Sequence, residues 1–260
     1  MNLNLEDLLR DFSPLERNVD IVFVIDASKS MEALIQGLQQ RADSFYDEFL
    51  DACAYQVKTI NRIRFKVIWY RDFFIDGDDA YGESDFFEMP DERMNFKEYL
   101  NSIRAYGGSD RPRPSLAVLS NALCSDFIQE GDERRHIIVH FTDAQSYSFE
   151  EIHELRKKCN IDNLLVKGLD RIPVSYREFL FDYWEEKISY PLGISMTEMA
   201  GYKKYSKLDN MGKRLLLITP EVFPWDDMEV EFDHTIRMHI DGMTKIDWEQ
   251  LINYISYAVR

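Results

Sequence analysis

The stretch DIVFVIDASKS, residues 20–30, determines the fold that the sequence predicts. Its apolar run is typical of a strand that is buried on both faces of a sheet. The run ends abruptly in Asp26, Ser28 and Ser30, which place one carboxylate and two hydroxyls at alternate positions. Short oxygen-bearing side chains in this pattern cap a helix, bind a phosphate or hold a hard metal ion. The rest of the chain has to decide between these roles.

The composition predicts a globular protein that does not bind polyanions. Of the 260 residues, 45% are apolar and 13% aromatic, which is enough for a sizeable core in one large domain or two small ones. The formal net charge of -16 argues against a nucleic-acid or anionic-membrane partner, because phosphates would be repelled. The three cysteines show no CxxC spacing, and the sequence has neither a signal-peptide pattern nor an apolar run of about 18 residues. We therefore expect a cytoplasmic protein with free thiols and no membrane span.

Strand-like apolar runs alternate with longer helix-like segments along the chain. Strands are predicted over 20–26, 64–73, 86–90, 135–144 and 214–220. Helices are predicted over 30–56, 95–106, 115–128, 148–159, 175–188, 195–208 and 247–260. This alternation predicts an α/β, Rossmann-like three-layer sandwich with a mainly parallel sheet between helices. We assign residues 1–17 to an N-terminal segment and 18–260 to one domain, with a helical insertion over 160–212.

Three polar segments follow predicted strands or precede helices on one side of this fold. They are the loop after Asp26, the glycine-rich loop over 107–114 and the turn that contains Asp143. In parallel α/β sheets ligands bind beyond the carboxyl ends of the strands, so these segments are expected on one rim. Mg²⁺ prefers oxygen ligands and keeps several waters, which suits hydroxyls and a few carboxylates. Helix-capping roles remain compatible with the serines and with Asp143, but the convergence of three segments favours a metal site.

The same three segments resemble the motifs of von Willebrand factor type A domains. DASKS, residues 26–30, is similar to the D-x-S-x-S signature of that family. YGGSDRPRPSLAVL, residues 106–119, resembles its Gly-Gly loop, and HFTDA, residues 140–144, resembles its third element, an aspartate after a strand. The resemblance implies the von Willebrand A fold and its metal-ion-dependent adhesion site.

The resemblance also implies the ligands of that site, carried over position by position: Asp26, Ser28, Ser30, Asp110 and Asp143. The second element departs from the family pattern, since its threonine is missing and either Ser109 or Asp110 takes its place. Alignment to the following helix favours Asp110, and Ser109 is the alternative. Asp72 at the end of the second strand is a candidate for orienting a metal-bound water, although an ion pair with Arg71 or a role in a turn is the favoured explanation.

In that family the metal lacks one protein ligand, and an Asp or Glu of a partner protein fills the open position. The resemblance therefore implies Mg²⁺ as cofactor, with Mn²⁺ or Ca²⁺ as alternatives, and a protein partner that offers a carboxylate. Arg111 and Arg113 lie beside the expected site, where they would hold acidic residues of the partner or balance the aspartates. WYRDF at 69–73 and LLLITPEVFPWDD at 215–227 resemble the bacterial cytoplasmic group near the TerY-like proteins. That group suggests a kinase, a phosphatase or another operon-encoded partner in a stress-response or antiphage defence system.

Two other functions remain as alternatives. A Mg²⁺-dependent phosphohydrolase of the haloacid-dehalogenase type also places an aspartate after its first strand, but it needs a second carboxylate where this chain has Ser28. No GxxxxGK[ST] phosphate-binding loop occurs either. A structural subunit with the same fold and an empty metal site is the third possibility. The sequence favours a non-enzymatic, metal-dependent protein-interaction module.

Overall fold

The computed structural model describes residues 15–55, 59–108, 111–159, 169, 172–185, 212–232, 234–238 and 246–260. The strands are β1 Arg17–Asp26, β2 Arg62–Tyr70, β3 Tyr81–Glu83, β4 Phe87–Met89, β5 Glu133–Phe141, β6 Lys213–Ile218 and β7 Thr235–Met238. The helices are α1 Glu32–Arg41, α2 Phe45–Ala54, α3 Phe73–Asp76, α4 Arg93–Ser102, α5 Ser115–Leu123, α6 Phe149–Cys159, α7 Tyr176–Glu185, α8 Trp225–Glu231 and α9 Trp248–Ala258.

The strands form one sheet in the order β3-β2-β1-β5-β6-β7, and β4 pairs with β2 beside β3. Five strands run parallel to one another, namely β2, β1, β5, β6 and β7. The short strands β3 and β4 are antiparallel to β2. β1 lies centrally, and its residue Ile25 is in register with Trp69 on one side and Phe141 on the other. The carboxyl ends of β1, β2 and β5 therefore meet at one rim of the sheet.

Helices cover both faces of the sheet, as the side-chain alternation of β1 requires. Ile21 and Phe23 face a core layer formed with α1, α2, α4 and α9. Val22 and Val24 face the opposite layer, formed with α5, α6, α7 and α8. A strand with apolar side chains on both faces is stable only between two such layers. The predicted α/β, Rossmann-like three-layer sandwich is confirmed.

The prediction of a single helix over 30–56 is wrong. A 3₁₀ turn at Lys29–Met31 precedes α1, and the chain turns again between α1 and α2. At that turn the Ser44 amide donates to the Arg41 carbonyl three residues back, at 3.0 Å. The buried positions Leu38, Ala42, Phe45, Phe49 and Cys53 keep helical spacing straight through the break. The apolar periodicity therefore hides it from a sequence-based prediction.

Other differences concern short elements. β2 ends at Tyr70 rather than at residue 73, because the Arg71 amide donates to Ala80 and the chain turns into α3. Four short elements, β3, β7, α3 and α8, were not predicted from the sequence; they are three, four, four and seven residues long. The helix predicted over 195–208 lies outside the described residues. Within the described part of the chain, no helix has both the length and the apolar character needed to cross a bilayer.

Candidate metal centre

The loop after β1 is folded around the carboxylate of Asp26. This side chain is fully buried, and its Oδ1 accepts a hydrogen bond from the backbone N–H of Ser28 at 2.9 Å. Such a turn ends the strand and directs the next side chains toward the rim. The hydroxyl oxygens of Ser28 and Ser30 then lie 3.2 Å apart. Lys29 between them is exposed and pairs with Glu32 at 2.7 Å, so it faces away from this group.

Thr142 closes the group from the neighbouring strand. Its hydroxyl donates to Asp26 Oδ2 at 2.8 Å, and both side chains are fully buried. Thr142 follows Phe141, which is in register with Ile25, so the pairing of β1 with β5 places Thr142 beside Asp26. Thr142 was not among the site residues predicted from the sequence. The signal was available, since HFTDA was already identified and the parallel pairing of two buried strands was predicted.

Arg113 also reaches this carboxylate, from the loop before α5. Its Nε lies 3.7 Å from Asp26 Oδ2, and the side chain is only 5% exposed. Burial raises the pKa of Asp26, while the Ser28 N–H, the positive charge of Arg113 and the Thr142 hydroxyl act in the opposite direction. Asp26 is thus a buried acid surrounded by donors, and one of its neighbours is a permanent cation.

The Gly-Gly loop packs directly on the serine loop. The Gly107 carbonyl accepts from the Lys29 N–H at 3.2 Å, and Gly108 has a φ of 91°. A Cβ on Gly108 would lie 3.0 Å from the Ser28 Cβ and 3.0 Å from Arg113 Nη2. Only glycine fits this close approach at a positive φ. Ser109 and Asp110, the two candidates for the second ligand, lie outside the described residues.

A pocket of about 470 Å³ opens above this group. It is lined by Ser30, Arg111, Arg113, Asp143, Ala144, Gln145, Pro220 and Val222. Within this lining the predicted ligand Asp143 is half-buried and Arg111 is exposed. One wall of the pocket comes from Pro220 and Val222 before α8; Pro220 was predicted as the last residue of a strand, and Val222 was not assigned to any element. Trp225 of α8 fixes that wall, since its indole N–H donates to the Ala144 carbonyl at 3.0 Å.

Asp72 lies at the end of β2 in a turn. Its side chain accepts from the Phe74 N–H at 3.2 Å and from the Tyr147 hydroxyl at 2.8 Å. Arg71 has a different acidic neighbour, Asp76, at 3.9 Å. Burial raises the pKa of Asp72, and these hydrogen bonds oppose the effect. In this position Asp72 caps α3 and ties it to the loop after β5.

A buried polar network lies beneath the site. The Tyr70 hydroxyl is 2.8 Å from Ser115 Oγ and 2.8 Å from His140 Nε2. Burial lowers the pKa of His140 to about 3, so its ring is neutral at physiological pH. Burial and the charge of Asp26 raise the pKa of Tyr70, which keeps the phenol protonated. These groups hold the floor of the site without adding charge to it.

The hydroxyl and carboxylate oxygens of this site suit a hard divalent cation. Among the described residues no three acidic, histidine or cysteine side chains come together as a metal-binding group; the oxygen donors that meet here are the Ser28 and Ser30 hydroxyls and the Asp26 carboxylate. The 3.2 Å between Ser28 Oγ and Ser30 Oγ is close to the roughly 3 Å that separates adjacent ligands in an octahedral Mg²⁺ shell. Two such hydroxyls above a buried carboxylate fit Mg²⁺, and Arg113 is the feature that opposes it.

No protein-family model and no curated protein matches the chain. Among solved structures, the pilus adhesin SpaC of Lactobacillus rhamnosus GG in its open conformation aligns over 94% of this chain and 30% of its own, at 12% identity and a TM-score of 0.47. A von Willebrand factor type A protein from Catenulispora acidiphila aligns over 92% of this chain and 42% of its own, at 11% identity and a TM-score of 0.42. The von Willebrand factor domain of a type V pili tip protein from Porphyromonas gingivalis aligns over 95% of this chain and 96% of its own, at 11% identity and a TM-score of 0.46.

Proposed function

We propose that this chain is a von Willebrand A type domain that binds a protein partner through a divalent metal ion and has no catalytic role. The arrangement of Asp26, Ser28 and Ser30 carries the proposal, because a buried carboxylate and two hydroxyls 3.2 Å apart converge at the carboxyl end of a central strand. The D-x-S-x-S, Gly-Gly and T-D-A segments that resemble the family supply this corner of the fold in the family's order.

In this proposal Ser28 and Ser30 bind Mg²⁺ directly, while Asp26 and Asp143 act directly or through water. Asp110, with Ser109 as the alternative, would complete the set. Mn²⁺ or Ca²⁺ would suit the same oxygen donors. When bound, the ion supplies a localised positive charge with an open coordination position. The whole chain carries a formal net charge of -16, so its surface otherwise repels carboxylates. The bound ion would therefore select a carboxylate of the partner at this one position.

The partner is proposed to be a protein whose Asp or Glu enters the pocket between Arg111 and Val222. The pocket has both a cationic wall and an apolar wall, which suits an acidic side chain next to an apolar one. The resemblance to the TerY-like group suggests a cytoplasmic adaptor in a stress-response or defence system, with an operon-encoded kinase or phosphatase as the partner. Nucleic acid and membrane are not proposed as partners.

Affinity capture from the native host tests this function. The bait is the full chain, captured with Mg²⁺ or with EDTA, next to a variant that combines Ser28→Ala and Ser30→Ala. We expect partners that are retained by the wild type in Mg²⁺ and lost in EDTA and in the variant. Lys29→Gln is a matched control, because it alters the same loop but an exposed side chain. Partners retained equally in all arms would exclude metal-mediated recognition.

A further inference from the structure

Arg113 is a cation built into the candidate metal centre. Its side chain is 5% exposed, and its Nε lies 3.7 Å from Asp26 Oδ2, the carboxylate oxygen that also accepts the Thr142 hydroxyl. A divalent ion held by the nearby serine hydroxyls would draw on the same carboxylate. Two positive charges would then share one buried acid within a few ångströms of each other.

The chain holds Arg113 in this place from several sides. Its backbone N–H donates to Gln145 and its carbonyl accepts from Tyr147, both at 2.9 Å, so the loop before α5 is stitched to the loop after β5. The side chain is anchored as well, since Nη1 donates to the Arg111 carbonyl at 2.8 Å. Gly108 packs over the guanidinium, with Nη2 3.0 Å from where its Cβ would be. Arg113 is therefore a fixed part of the site, unlike the exposed Arg111.

Buried charges without compensation are costly, and like charges repel most strongly where water is excluded. In the metal-free protein Arg113 compensates Asp26, which stabilises the fold. In the metal-bound protein the same guanidinium repels the ion. We propose that Arg113 is a counter-ion that competes with the divalent cation for Asp26 and thereby sets how much metal the site needs. This inference rests on the proposed function, because it assigns the regulation of that same site.

The test compares Arg113→Gln with Arg111→Gln in the full chain. Both variants remove one positive charge from the same pocket, but only Arg113 is buried against Asp26. Mn²⁺ binding is titrated by calorimetry, and Tm is measured without metal. We expect Arg113→Gln to bind Mn²⁺ about tenfold more tightly than the wild type and to have a lower metal-free Tm, since the repulsion and the compensation are both lost. Arg111→Gln should change Mn²⁺ affinity by less than Arg113→Gln does and should leave the metal-free Tm near that of the wild type, because its exposed charge is screened by solvent.

The outcomes separate this inference from the proposed function. Mn²⁺ binding by the wild type that Arg113→Gln does not tighten would overturn the inference alone. Binding by Arg113→Gln but not by the wild type would support the inference and count against a metal-dependent function of the natural chain. Binding by neither protein would overturn both. An Arg113→Gln chain that stays unfolded in millimolar Mn²⁺ would also overturn the inference, because the ion then fails to replace the lost charge.

Discussion

The central strand carries a buried aspartate near each end, and the two are treated differently. Asp20 is fully buried, pairs with Arg64 through two contacts of 2.8 and 2.7 Å, and also accepts from the Ile128 N–H at 2.6 Å. Asp26 lies six residues on, about 20 Å along the strand. It accepts from Ser28 and Thr142, but its arginine stays at 3.7 Å. The pair at Asp20 is closed by direct hydrogen bonds, whereas in the looser group at Asp26 the arginine stays beyond hydrogen-bonding distance, as the proposed competition with a cation requires.

The largest effect is expected from breaking the closed pair. Asp20→Ala leaves Arg64 without its bidentate partner and the Ile128 N–H without its acceptor. We expect the free energy of unfolding to fall by about 3–5 kcal/mol, the usual cost of removing one member of a buried pair. Urea denaturation measures it. A loss below about 1 kcal/mol would show that the pair of Asp20 and Arg64 contributes little to stability. Asp20 and Asp26 would then not differ in the way described above.

The second prediction concerns the looser group. Asp26→Asn keeps the shape of the side chain and removes its charge, so Mn²⁺ should no longer stabilise the protein. In the wild type, a metal concentration one hundred times Kd should add about 2.7 kcal/mol to the free energy of unfolding. For a chain of this size, Tm rises by roughly 2–4 °C for each added kcal/mol. Thermal unfolding with and without Mn²⁺ checks this. An equal rise in Tm with Mn²⁺ in Asp26→Asn would show that Asp26 is not part of the metal site.

Gly108→Ala tests whether the looser group depends on close backbone packing. The new methyl meets Ser28 and the Arg113 guanidinium at 3.0 Å, and the φ of 91° is unfavourable for alanine. We expect a loss of about 1–3 kcal/mol together with a weaker stabilisation by Mn²⁺. Gly77→Ala is the control, because it has a φ of 77° but open space around the added Cβ. If Gly77→Ala weakened the Mn²⁺ effect as much, the packing on Ser28 would not matter.

The last prediction is a dependence of stability on pH, and it is expected at both ends of the sheet. Burial lowers the pKa of His136, opposite Asp20, to about 4 and that of His140, beneath the rim, to about 3. Each folded pKa is below the ordinary 6.5, so the unfolded chain binds more protons. Stability is therefore present above about pH 6.5 and is lost as pH falls, by up to about 1.4 kcal/mol per pH unit for each histidine.

Denaturant unfolding at pH values between about 7 and 5 measures this slope. His140→Gln should flatten it, and His136→Gln should flatten it by a similar amount, since both rings are neutral in the folded protein. A slope unchanged in both variants would mean that the carboxylates govern the acid response. A change in one variant alone would distinguish the two ends of the sheet.

The sequence was sufficient for the features that depend on neighbouring residues. The apolar run of β1 and its polar end at Asp26, Ser28 and Ser30 predicted the buried strand, the rim and the converging hydroxyls. The two-sided apolar character of the strands similarly predicted a sheet between two helical layers.

Features that depend on distant parts of the chain were out of reach. Arg113 and Asp26 are far apart in sequence, and only the folded loops decide that this arginine is buried while Arg111 is exposed. The pairing of Asp20 with Arg64 depends on the register of two parallel strands. The break near Ser44 was hidden by continuous apolar spacing. Sequence patterns report which face is buried, but they do not report which polar groups meet there.

The bond between Trp225 and Ala144 has an optical consequence. The indole is fully buried, lies edge-on to His140 with ring centroids 4.8 Å apart, and donates its N–H to the residue that follows Asp143. Indole emission responds to the polarity and hydrogen bonding around the ring, so a ligand that shifts the Asp143 loop alters the environment of this fluorophore. Trp225 is thus an intrinsic probe at the rim among the four tryptophans of the chain, and we expect occupancy of the pocket to change the tryptophan fluorescence without any added label.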